Sequence, residues 1–508
     1  MRISARPFVI AFALLLAPAP AAAARNIAVS VTQTSADLSQ ALTSLPRLPF
    51  KLGVPSRRLR VITVNDARRF QTMQGFGAAM TDTSAWLIWD ALTPHQRGSL
   101  MQKLFGVGPG GIGVSYVRVP IGASDFTRGR APYSYDDLPS GQSDPTLANF
   151  SIAHDEAYIL PALRAMRAIN PAVTTLASEW SPPPWMKAND SFGNPGPPGG
   201  SLLTANYPVL AAYFVRFLSA YAAAGVPIQA ITPQNEPDQL TNYPGMVFTE
   251  SQEAQFIGSD LMPALHAANL DPAILGYDFE WSCRGSPTAV PCDLRYPAKL
   301  AADPVAGAGL AGIAWHCYAG NADEMSLMHA LAPRLAEVLS ECTSGRLTPG
   351  PPAQLEIAAA RNWAGAVVLW NLALDPRGGP VEPPNWGCGG CIGLVRVNEK
   401  THRFGLTRDY YQLGQASRYV RPGAVRIASN TFVTDQNTYL RSRGSYTSPG
   451  LDDVAFLDPN GTRVLLAYNS GRSPARFAVR WRGSYFSYTL APRAMATFRW
   501  SPAAGGGG

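Results

Sequence analysis

From about Gln74 to Tyr419 this chain repeats one unit: a short apolar run, a loop carrying polar or aromatic residues, then an amphipathic helical stretch. That alternation marks parallel β/α units, because two parallel strands can be joined only by a long crossover, usually a helix. Eight runs fit the strand role: Gly75–Met80, Ser115–Ile121, Thr174–Ser178, Ile228–Thr232, Ile274–Tyr277, Ile313–His316, Val338–Ser340 and Ala366–Trp370. Eight such units close into a (β/α)8 barrel. The stretch from Tyr207 to Ala223 is apolar at helical spacing with a single charge, so it reads as an outer barrel helix whose aromatics pack rather than bind. Gly193 to Gly200 reads as an irregular loop at the rim of a cleft.

After Tyr419 the apolar pattern changes to a period of two, as in Arg463–Tyr468 and Arg476–Trp481, which is the pattern of an antiparallel β-domain. Ile27–Val31 and Leu59–Val64 also read as strands and are expected to join the same sandwich. The expected organisation is a signal peptide over 1–24, an N-terminal segment of the sandwich over 25–70, the barrel over 71–418, the remaining sandwich over 419–502, and a disordered tail over 503–508.

The leader expectation rests on Arg2 and Arg6 ahead of ten apolar residues, Phe8 to Ala17, followed by small residues. A run of that length is too short to span a bilayer, which takes about 20 residues, so no integral membrane segment is expected after cleavage. Secretion or a periplasmic location would permit disulfides. Cys388 and Cys391 would clip a Gly/Pro-rich loop, and Cys283 and Cys292 could close another, whereas Cys317 and Cys342 read as packed thiols. The net charge of +7 is scattered, with no basic-aromatic stripe, so no nucleic-acid partner is expected. The six histidines form no ligand cluster, and neither metal nor cofactor is called for.

Barrel enzymes work at the C-terminal ends of their strands. Here those ends carry Arg118 and Asp125, Glu179 and Trp180, Asn235 and Glu236, His316 and Tyr318, Glu341, and Trp370. Two strand-end glutamates flanked by aromatics, an amide and a histidine suit a pyranose, which has apolar faces and hydroxyl edges. They are also what hydrolysis of a glycosidic bond with retained configuration requires.

The same residues carry a resemblance. Gln74–Asp82, Arg118-Val-Pro with Ser124-Asp-Phe, Ala177–Lys187, Thr232–Pro237 and Trp370–Leu374 resemble, in order, the strand signatures of glycoside hydrolase family 30, the family of lysosomal glucosylceramidase. The resemblance covers essentially the whole mature length. It implies a (β/α)8 barrel with a side β-sandwich built from both chain ends, Glu236 as general acid/base and Glu341 as nucleophile. It further implies that Asn235 holds the sugar 2-hydroxyl, that Asp125, Trp180 and Trp370 bind the other hydroxyls and the ring, and that His316, Tyr318, Tyr243 and Arg118 support the carboxylates. Glu179 departs from the pattern of the lysosomal enzyme, which has an uncharged residue before this tryptophan, and its role stays open.

Each reading has a competitor. Glu337 lies close to Glu341 on the same run, His316 alone reads as a core or capping residue, and the two tryptophans could be barrel-mouth packing. The leading expectation is an exported retaining β-glycosidase of glucosylceramidase type, acting on a glycolipid or glucan β-glucoside. An endo-β-1,6-glucanase or β-xylosidase of the same family stands beside it, and a non-catalytic glycan-binding protein is the reading from another class. Substrate choice lives in rim loops that fold analogy does not read.

Overall fold

The computed structural model describes residues 27–129, 131–195, 200–281, 294–344, 350–381, 386–430 and 450–502. The expected leader, the Cys283 and Cys292 pair and the 503–508 tail lie outside those residues.

Eight parallel strands close into a barrel in chain order: β1 (Gly75–Ala79), β2 (Tyr116–Ile121), β3 (Thr174–Glu179), β4 (Ala230–Thr232), β5 (Ala273–Glu280), β6 (Leu310–His316), β7 (Ala336–Glu341) and β8 (Ala364–Leu369). All eight apolar runs of the sequence are strands of this barrel. The barrel is plugged by a small apolar layer: Tyr116, Leu176, Ala230, Leu275, Ala314, Val338, Ala366 and Val368. Strand side chains alternate, so a step of two residues toward the C-terminal end places the next inward layer. From β2, β3, β4, β6 and β7 that step gives Arg118, Ser178, Thr232, His316 and Ser340, a fully buried polar layer directly above the apolar plug. The strands must come close to do this. In β1 a Cβ on Gly77 would fall 1.7 Å from the carbonyl oxygen of Tyr116, so only glycine fits there.

β5 breaks the alternation. A register shift between Tyr277 and Phe279 against β6, with φ of 75° at Tyr277 and 48° at Asp278, forms a bulge. The bulge places Asp278 among the inward polar residues of the neighbouring strands.

The second domain is a β-sandwich. Its larger sheet runs in the order 43–49, 28–34, 495–500, 463–469, 451–457, 425–428, 65–72, and its smaller sheet in the order 51–52, 484–490, 475–481, 60–63. The strand Ala28–Thr34 pairs antiparallel with Met495–Trp500, so both ends of the chain build one sheet. Phe50, Trp481, Phe486, Phe498 and Trp500 fill the space between the sheets. The helix Arg408–Ser417 joins the domains: Gln415 and Thr497 are hydrogen-bonded to each other, and Gln415 to Thr34.

Candidate active site

Glu236 lies four residues beyond Thr232, the polar end of β4. Its backbone sits at φ 47°, a left-handed conformation that a glutamate adopts only when its surroundings impose it. The imposing contacts are the Asn235 N–H on the Glu179 carbonyl at 2.6 Å and the Glu236 N–H on the Asp278 carbonyl at 3.0 Å. So β3, β4 and β5 together aim this carboxylate, and Tyr243 Oη (3.2 Å) and His316 Nδ1 (3.0 Å) bond its two oxygens.

Glu341 ends β7. Arg118 Nη1 bonds one of its oxygens, and Tyr318 donates to the other at 2.9 Å. Oxygens of Glu236 and Glu341 and a nitrogen of His316 lie within 4.8 Å of one another. Among the described residues this is the group whose atoms come within reach of a shared metal ion. However, both His316 nitrogens are engaged by carboxylates, which leaves the ring no lone pair to offer a metal while it is charged.

Below the two glutamates lies Asp278, fully buried, which no strand-end pattern in the sequence singles out. Its Oδ2 accepts from Arg118 Nη2, Ser178 Oγ and Thr232 Oγ1, each at 2.7 Å. Its Oδ1 accepts from Ser340 Oγ at 2.6 Å and from His316 Nε2 at 3.2 Å. Burial would raise the Asp278 pKa, but Arg118 and the His316 and Ser340 hydrogen bonds outweigh it and hold the carboxyl far below its usual range. His316 mirrors this: burial disfavours its charge, yet Glu341, Asp278 and Glu236 push its pKa up to about 10. For Glu341, burial raises the carboxyl above the usual range and the Glu236 charge adds to the rise, while His316, Arg118 and the Tyr318 hydroxyl limit it.

One wall of the site is aromatic. Trp180 and Trp370 stack with ring centroids 5.4 Å apart, Phe126 packs edge-on to Trp370, and Tyr243 packs against Trp180. The Arg118 guanidinium carbon lies 5.9 Å and 5.4 Å from the two indole centroids. Trp180 Nε1 is buried with no hydrogen-bond partner within the protein, and Trp370 Nε1 faces the buried Asp125 carboxyl. Buried polar atoms of this kind are what the hydroxyls of a sugar would satisfy. Burial first, then the charges of Glu341 and Glu236, holds Asp125 well above the usual carboxylate range. Arg118, Asp125, Trp180, Asn235, Glu236, Tyr243, His316, Tyr318, Glu341 and Trp370 therefore gather at one mouth of the barrel, with Asn235 Oδ1 accepting from Arg118 at 2.7 Å.

The competitors separate. Glu337 turns to the outside of the barrel wall, where Trp315 Nε1 donates to it at 2.6 Å. Glu179 also faces outward from β3, opposite in pleat to Ser178. Both its carboxyl oxygens are buried without a partner, and burial raises its pKa well above the usual range. Near it Lys187, with burial lowering its pKa to about 7, donates to Ser181 Oγ and to the carbonyls of Phe192 and Gly245, tying together the loops after β3 and β4.

The cysteines require a correction. Cys317 and Cys342 are a disulfide, not two packed thiols, with Cα atoms 5.3 Å apart. The pleat does turn both away from the site, but His316 pairs with Glu341 across β6 and β7, so the next residue on each strand meets the other within disulfide reach. Cys388 and Cys391 also pair, and Cys391 packs against the Phe126, Trp180 and Trp370 wall.

Comparison with known proteins agrees with this architecture. Residues 73–346 match the glycosyl hydrolase family 30 TIM-barrel domain and residues 423–498 its beta sandwich domain. An endo-1,6-beta-D-glucanase of Neurospora crassa is 33% identical over 472 residues, covering 90% of this chain and 92% of that protein. The lysosomal acid glucosylceramidase of Mus musculus is 27% identical, covering 87% and 83%. Among solved structures, the endo-beta1,6-glucanase BT3312 superposes with a TM-score of 0.78 at 28% identity, covering 93% of this chain and 99% of that one. With a closed eight-strand barrel, a sandwich drawn from both chain ends and matches to both domain models, this chain belongs to glycosyl hydrolase family 30.

Proposed function

We propose that this glycoside hydrolase is an exported, retaining endo-β-1,6-glucanase. The observation that carries the substrate is the 33% identity to a fungal endo-1,6-beta-D-glucanase across nine-tenths of both chains. This moves the glucosylceramidase-type expectation to second place, where the 27% identity to the mouse enzyme keeps it as the competing reading. Retention is supported by the approach of Glu236 and Glu341 oxygens to within 4.8 Å, which suits the short carboxyl separation of about 5–5.5 Å in retaining enzymes. Export is supported by two disulfides among the described residues, since such bonds persist in oxidising compartments.

In this reading a Glu341 oxygen attacks the anomeric carbon as Glu236 gives its proton to the departing glycosidic oxygen. The bond to the leaving sugar breaks, and a glycosyl ester forms on Glu341. Glu236, now a carboxylate, takes a proton from water, which attacks the same carbon and releases Glu341. Trp180 and Trp370 cover a ring face, and Asp125 and Asn235 take hydroxyls.

The test is to incubate residues 25–508 with β-1,6-glucan and, separately, with glucosylceramide, following products by mass, linkage and anomeric NMR. Oligosaccharides first released as the β-anomer, with the lipid untouched, are the expected result. Glucose and ceramide from the lipid alone would overturn the substrate, and a first-formed α-anomer would overturn the mechanism.

A further inference from the structure

Arg118 and His316 each touch one of the two glutamates, and each also touches Asp278. A third, deeper carboxylate is thus wired through one cation to Glu341 and through another to Glu236. We propose that Asp278 is a positioning residue that keeps both Arg118 and His316 charged and aimed, so that the buried cluster holds the same net charge through both halves of the reaction.

The proposal rests on the Glu236 and Glu341 roles given above, and charge counting supplies its logic. Before attack, Arg118 and His316 are balanced by Asp278 and ionised Glu341, with Glu236 protonated. In the glycosyl-enzyme Glu341 is a neutral ester and Glu236 is a carboxylate, so the balance is unchanged. Without Asp278 the resting cluster would carry a surplus positive charge on fully buried Arg118 and His316, unless His316 gave up its proton. A charge of that kind is costly to bury unpaired. The geometry matches this role, because five donors from five strands converge on the two Asp278 oxygens and a bulge in β5 is needed to bring those oxygens there. The groups facing His316 are Glu236, Asp278, Glu280, Glu341, Arg118 and the Tyr318 ring, and Asp278 is the one that bonds it from beneath.

The test is an NMR titration of histidine ring nitrogens in the full chain, with His316 assigned by loss of its signal in His316→Gln. In the wild-type protein the His316 ring is expected to stay an imidazolium through neutral pH, titrating near 10. In Asp278→Asn, which removes one of the three carboxylates that raise it, the ring is expected to titrate clearly below the wild-type value, with kcat on the cleaved substrate lowered on the order of 10²-fold and KM little changed. A neutral His316 ring at pH 7 in the wild type would overturn the proposal even if the variant failed to fold. So would a folded variant whose ring titrates where the wild type does. Should the wild type cleave neither glucan nor lipid, the functional reading fails, while the ring titration still decides the role of Asp278.

Discussion

Replacing Cys317 and Cys342 together by alanine removes a staple between the ends of β6 and β7. The bond closes a loop of 25 residues, and the chain-entropy relation for that length gives about 3.5 kcal/mol at 25 °C. The same relation for Cys388 and Cys391, three residues apart, gives about 1.6 kcal/mol. Equilibrium unfolding in guanidinium chloride of both double-alanine variants should therefore rank them, with the β6–β7 variant losing about 2 kcal/mol more than the other. Because Tyr318 and Glu341 flank the staple and share a 2.9 Å hydrogen bond, the first variant should also lose kcat. The second should mainly raise KM, since its bond backs the aromatic wall. Equal losses of stability, or a larger loss from the short clip, would refute the loop-entropy reasoning. Unchanged kcat in the first variant would refute the link to the site.

Glu341→Gln should lower kcat on every substrate by at least about 10⁴-fold, the scale seen when a nucleophile is removed; substantial remaining turnover sinks the nucleophile assignment. Glu236→Gln should cost about 10²–10⁴-fold on glucan and far less on aryl glycosides whose leaving groups need little protonation, so equal losses on both would count against the acid role. Glu341 must be ionised to attack, and its pKa lies above the usual 4.5, so the acid limb of the kcat/KM profile should fall above that value; a limb below 4.5 contradicts the burial argument. The folded-state pKa of Glu179 is raised, so its carboxyl costs stability once pH exceeds the unfolded value and the cost grows until the folded pKa is passed. Glu179→Gln should then stabilise the protein at neutral pH and have little effect near pH 4, as read from Tm at both; a pH-independent shift removes the explanation.

The strands of the barrel were legible because each is a short apolar run ending in polar or aromatic residues, a pattern that depends only on local sequence. The two glutamates were legible for the same reason, since Glu341 ends such a run and Glu236 stands four residues past one. Asp278 was not, because a strict alternation from Leu275 points Tyr277 inward, and only the bulge against β6 substitutes Asp278. No spacing rule announces a bulge, although an aspartate inside Gly-Tyr-Asp-Phe-Glu was a polar signal in an apolar strand. The Cys317 and Cys342 bond was hidden differently: it needs the register between two strands, which is a property of neither. The outward-facing Glu179 could have been read from pleat alone, since it follows inward Ser178.

The pairing of Ala28–Thr34 with Met495–Trp500 has a consequence for how the molecule comes into being. During synthesis the earlier of these two strands has no partner on that side until the later one arrives. The barrel can close once Leu369 is available, while the sandwich beside it waits for Trp500. Topology thus makes the barrel strands available before the sheet that the two flanking segments share can be completed, as a clasp fastens a belt. A chain released short of its final strand would carry a finished barrel and an open sheet edge, a surface prone to pair with a second chain.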